Sequence, residues 1–228
     1  MTGAHHRQHD NWTVWLSEPM MSAQKRPQSL NAFPYARLRD QLKTGDLVLF
    51  SGRTAAARLV RWFTGSPWSH IGIVVRLPEF ADTPLLWEAT RASKVADIHR
   101  GTVFDGVQLV PLDAKIASYP GEVAVRRLIG VESSRERRES IENMLEAWSE
   151  KPYRNLVEKN LMAWVSGREA VHISRGGFCS ELVAEVYKQL RLLPEDKPSI
   201  RYVPSDFAPE AMLPLLQGRL SPAYLLSV

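Results

Sequence analysis

Five short apolar runs crowd between residues 46 and 128, and helical periodicity takes over from residue 134 onward. That division constrains the fold more than any other feature. Strands gathered in one half and helices in the other predict an α+β domain built on an antiparallel sheet. The runs are Asp46-Leu47-Val48-Leu49-Phe50-Ser51-Gly52, Ser69-His70-Ile71-Gly72-Ile73-Val74-Val75, Leu85-Leu86-Trp87-Glu88-Ala89-Thr90, Val107-Gln108-Leu109-Val110-Pro111 and Glu122-Val123-Ala124-Val125-Arg126-Arg127-Leu128. Helical spacing marks 55–63, 134–148, 156–165 and 178–193, with short helices at 34–43 and from Pro204. Residues 1–30, with His5, His6, His9, Pro19 and Pro27, hold no period and read as a flexible arm. Residues 31–228 are expected to form a single domain.

The polar residues set into these runs carry the chemistry. In the second run His70, Gly72 and Val74 share one face, and Ile71, Ile73 and Val75 share the other. Both faces are otherwise apolar, so His70 is expected to be buried and in need of hydrogen-bond partners. Backbone groups alone would satisfy a core histidine; a catalytic partner would do so as well. Glu88 is the one charge in its apolar run. On an edge strand it would point to water. On a strand antiparallel to the His70 strand it would lie across from His70 and accept its ring N–H.

Cys179 is the only cysteine of the chain, which excludes an intramolecular disulfide framework and a multi-cysteine metal site. It follows Gly176-Gly177-Phe178, in the first turn of a helix whose stripe Cys179, Leu182, Val183, Val186 faces the core. A small buried hydrophobe would suit that stripe. So would a nucleophile, because free N–H groups and the positive end of the helix dipole favour a thiolate there. The Cys179 N–H would also serve as an oxyanion donor. Tyr153 in Lys151-Pro152-Tyr153-Arg154 reads as a cleft residue or as packing. Asp46 and Asp206 open a strand and a helix, which gives them capping roles.

Gly45 to Phe50, Ser69 to Val74, Trp87-Glu88-Ala89, Phe178 to Val183 and Pro204-Ser205-Asp206, in this order, resemble the circularly permuted branch of the NlpC/P60 papain-like superfamily. The resemblance covers roughly residues 44–210. It implies a papain-like fold with the cysteine helix packed on an antiparallel sheet, Cys179 as nucleophile, His70 as general base, Glu88 as its orienting group and Tyr153 as a cleft tyrosine. It implies a cysteine amidase or endopeptidase that needs no metal or other cofactor. A thiol-dependent lipid acyltransferase or phospholipase of the same fold, and a non-catalytic binding domain, are the rival readings.

The surroundings of that chemistry are less sharply marked. A formal charge of +4, with bases scattered among acids, reads mainly as solvated surface, and no base-reading motif points to nucleic acid. The expected partner is a peptide or peptidoglycan-like substrate, with a cognate inhibitor if the enzyme is a toxic effector. No run of 18 apolar residues occurs. No signal peptide is visible at the start, so synthesis in the cytoplasm and export by a specialised secretion system are expected.

Overall fold

The first apolar run pairs on both sides, and that pairing organises the molecule. In the computed structural model, which describes residues 32–90, 93–149 and 177–227, β2 (Leu47–Gly52) lies between β3 (His70–Val75) and β6 (Gly121–Ile129). Beyond β3 follow β4 (Leu85–Thr90) and β5 (Gly106–Pro111); beyond β6 follow β7 (Arg219–Ser227) and β1 (Phe33–Pro34). The seven strands form one sheet in the order β1-β7-β6-β2-β3-β4-β5. Five helices of the described residues accompany it: α1 (Tyr35–Arg39), α2 (Ala55–Thr64), α3 (Leu112–Ser118), α4 (Arg135–Ser149) and α5 (Gly177–Gln189). The fold is α+β. The sheet is not wholly antiparallel as expected, because β1 runs parallel to β7.

Strand alternation sorts the core into two layers. Leu47, Leu49, Ile71, Ile73, Trp87 and Leu109 face α4 and α5. Val48, Phe50, Val74, Leu86, Val110 and Val125 face α1 and α3. A sheet covered on both faces explains why its strands read as continuous apolar runs. The α5 stripe behaves as its spacing predicts: Cys179, Leu182, Val183 and Val186 are all buried in the first layer.

Several expected boundaries move. The helix expected over 34–43 is only α1, five residues long. The turn at Pro204–Phe207 is 3-10 helix, held by Asp206 Oδ2 accepting from Val203 N. Asp46 is a structural clamp: its carboxylate accepts from Lys43 N, Leu128 N and Arg127 Nε. The arm at 1–30, the helix expected at 156–165 and Tyr153 lie outside the described residues. No helix among the described residues is long and apolar enough to cross a membrane.

Candidate active site

His70 opens β3, and Cys179 is the third residue of α5, which packs across β3 and β4. The histidine belongs by alternation to the α3 face of the sheet, whereas the cysteine belongs to the α5 layer. They meet because each stands at the beginning of its element, and the two side chains are hydrogen-bonded. On its other side the ring places Nε2 2.6 Å from Glu88 Oε2. With Nε2 committed to the carboxylate, Nδ1 is the ring nitrogen left for the thiol. Only 16% of the His70 side chain is exposed, and none of Glu88.

The register corrects one expectation. Ile73 pairs with Trp87, so one further step sets Gly72 opposite Glu88, and three steps set His70 opposite Thr90. Glu88 is thus a diagonal neighbour of His70, a separation a long side chain spans. Gly72 serves the strand pairing: a Cβ there would stand 2.6 Å from Leu86 Cδ1 and 3.0 Å from the Trp87 carbonyl oxygen.

A buried carboxylate is costly unless each oxygen is answered. Glu88 Oε1 accepts from Lys115 Nζ at 2.5 Å and from Gln108 Nε2 at 2.7 Å. Gln108 faces Glu88 directly across the β4–β5 pair, and its Nε2 also lies 2.8 Å from Ser93 Oγ. Lys115 comes from α3 and is itself buried. Charges therefore alternate along the row Lys115, Glu88, His70, Cys179 when the last two form an ion pair. Burial opposes ionisation of Glu88, but the bond and charge of His70 and the charge of Lys115 hold it down at about 2. Burial likewise opposes charging His70, yet the charge and hydrogen bond of Cys179, joined by Glu88, push it up to about 9. Both partners favour the imidazolium form of the ring.

Tyr119 completes this end of the sheet. Its ring packs on Phe50 at 4.8 Å, Phe50 packs on His70 at 5.3 Å, and its hydroxyl bonds to Ser69. Burial raises the hydroxyl to about 12, the Ser69 bond works the other way, and the charges of Glu88 and Cys179 add to the rise. Ser69 and Ser180 are tied into the backbone, through Gly52 N and Phe50 O for the first and Tyr202 O for the second.

The structure thus brings Cys179, His70 and Glu88 together, with Asp46 and Asp206 elsewhere. Sequence reasoning missed Lys115, Gln108 and Tyr119. A signal was present: Leu112, Lys115, Ile116 and Tyr119 fall at i, i+3, i+4 and i+7, which puts a lysine on an apolar stripe. Likewise Gln108 shares a strand face with buried Val110.

No protein-family model matches the chain, and no curated protein matches it. Among solved structures it is similar to the crystal structure of metalloprotein yiiX from Escherichia coli O157:H7, DUF1105. The two are 20% identical, over 82% of this chain and 97% of that chain, with a TM-score of 0.44.

Proposed function

We propose that the protein is a cysteine hydrolase, an amidase or endopeptidase of the circularly permuted papain-like type. The observation that carries this reading is the His70 ring held between Cys179 and Glu88. The chain order, histidine strand before cysteine helix, supports the permuted arrangement.

This reading implies the following reaction. The Cys179 thiolate attacks an amide carbonyl carbon; the C–S bond forms and the π electrons move to oxygen. The Cys179 N–H, one of the first four of α5 and so without an intrahelical acceptor, stabilises that oxyanion. Collapse expels the amine, which takes its proton from His70. Water then attacks the thioester, His70 takes a proton from it, and the carboxylic acid leaves as the thiolate is expelled, which restores the thiolate–imidazolium pair. Glu88 keeps the ring aligned and its positive charge favourable throughout.

Peptidoglycan peptides are the leading substrate, with delivery by a specialised secretion system. The test is expression of wild type and Cys179→Ala in a bacterial host, directed to the cytoplasm or the periplasm. Toxicity confined to the periplasm, dependent on Cys179 and accompanied by cleaved wall peptides in mass spectra, is the expected outcome. Harmlessness of both variants in both places, with unchanged wall peptides, sinks the wall-amidase reading.

A second reading, a thiol-dependent lipid acyltransferase or phospholipase, is favoured by Leu59 and Trp62, which are 48% and 64% exposed on α2. Release of fatty acid from phospholipid vesicles by wild type but not by Cys179→Ala would select it.

A further inference from the structure

Helix α2 connects β2 to β3, so its last turn lies beside the strand ends that carry Ser51 and His70. Arg61 is in that turn, and its Nη1 donates to Ser51 Oγ at 3.1 Å. Ser51 belongs with Leu47 and Leu49 to the sheet face on which α5 and Cys179 pack. At the next residue, Gly52, a Cβ would stand 2.8 Å from Tyr119 Oη and 3.4 Å from Ser69 Oγ. Arg61, Ser51, Tyr119 and Ser69 thus gather at the end of β2 where Phe50 pairs with His70, the partner of Cys179. The charges of Arg61 and Cys179 both act on the Tyr119 hydroxyl.

Other partly buried arginines here are answered. Arg39 meets Asp113 and Arg127 meets Asp46; Arg126 donates to three carbonyls and Arg76 to three more. Arg61 forms no ion pair with any described residue. The acid opposite Ser51 in the ladder, Glu122, does not pair with it. Residues 47–78 hold Arg53, Arg58, Arg61 and Arg76 and no Asp or Glu. A guanidinium has five N–H donors, so the bond to Ser51 leaves most of them available. Complementing the α2 dipole accounts for a positive charge in the last turn. It does not account for a guanidinium anchored on the end of the sheet that carries His70.

We propose that Arg61 is an anion-binding subsite of the cleft, and that the substrate bears a carboxylate or phosphate close to the bond attacked by Cys179. The proposal rests on the thiol-hydrolase reading and narrows its substrate class. Ser51 fixes the guanidinium plane from one side, and the remaining N–H groups receive the anion in a charge-assisted pair.

The experiment compares alkylation of Cys179 in the native full chain by iodoacetate and by the neutral iodoacetamide, followed by mass spectrometry. The rate ratio, normalised to a free thiol, is expected to favour iodoacetate roughly tenfold, the scale of one hydrogen bond to a charged group. Arg61→Gln should remove most of that preference, leaving what His70 and the α5 N-terminus supply, and Arg61→Lys should retain part of it. Arg37→Gln, which removes an equal charge from exposed α1, should leave it as in wild type. A ratio that is the same in wild type and Arg61→Gln overturns the subsite while leaving the nucleophile intact. A Cys179 inert to both reagents until the chain is denatured overturns the hydrolase reading itself. The anion that slows wild type and spares Arg61→Gln identifies the source: an N-acyl amino acid for a peptide carboxylate, inorganic phosphate for a phosphoryl group.

Discussion

Glu88 has two tasks that pull against each other. It must stay ionised where no water reaches it, and it must lend that charge to His70. Lys115 and Gln108 take one oxygen and His70 takes the other, so the two tasks use different atoms. Replacing Glu88 by Gln removes the carboxylate's share of the upward push on His70. The ring should then lose its proton below the wild-type value of about 9, and an NMR titration of the His70 imidazole measures this. An unmoved midpoint would show that Glu88 does not act on the ring. Lys115 answers a different question. Lys115→Met leaves Glu88 short of a buried counter-charge and should cost about 3–5 kcal/mol in urea unfolding. The pair Glu88→Gln with Lys115→Met removes both charges and should recover most of that loss without restoring Cys179 reactivity. Equal destabilisation by the single and double changes would mean that Lys115 acts through packing.

At the scale of elements, strands β2 to β6 were legible because a sheet covered on both faces leaves unbroken apolar runs. Strand β7 was not, because Ser221 and Pro222 interrupt it and proline demotes a central strand. The structure accommodates both in a register shift between Arg126 and Leu128, beside which Arg127 N bonds to Ser221 Oγ. Helix α3 was hidden by its brevity, and with it went Lys115. Of the site, Cys179, His70 and Glu88 stood out as single anomalies in apolar surroundings. Arg61 did not, since it resembles every other surface arginine until its neighbours are known. The close approach at the β2–α2 junction is testable. Gly52→Ala would set a methyl 2.8 Å from Tyr119 Oη and 2.9 Å from Ala57 Cβ. The expected cost is about 1–3 kcal/mol. Adding Tyr119→Phe should return part of it, because the hydroxyl is the nearest atom; no recovery would place the strain at Ala57. Thermal unfolding of the two variants decides.

Across the whole molecule the reactive end and the closing end are separate. His70 pairs with Phe50 at one end of β2, and Arg126 pairs with Leu47 at the other, about 10 Å along the strand. Helix α5 repeats the division: Cys179 lies in its first turn, and Tyr187 lies about 12 Å further along. The closing end is built around Arg126, which is buried and donates to the carbonyls of Ser221, Phe207 and Leu220. It thereby fastens the β7 bulge and the 204–207 turn to β6. Phe207 in turn stacks edge-on against Tyr187, whose hydroxyl donates to Gly45 O at 2.7 Å, next to the Asp46 clamp. Burial pulls the Arg126 pKa down; among the described residues no carboxylate forms an ion pair with it, and carbonyl dipoles take its N–H groups while Tyr187 and, less strongly, Glu210 favour its charge from further off. Arg126→Met orphans these acceptors and should cost about 3 kcal/mol or more, at about 1–3 kcal/mol for each buried group left unsatisfied. Arg126→Lys should recover little, because one ammonium cannot span three carbonyls that a planar fork reaches together. In the fraction that stays folded, Cys179 should keep its wild-type alkylation rate, since the contacts that hold it to His70 are formed at the other end. A slowed rate in folded Arg126→Met would show that the two ends are mechanically coupled through α5.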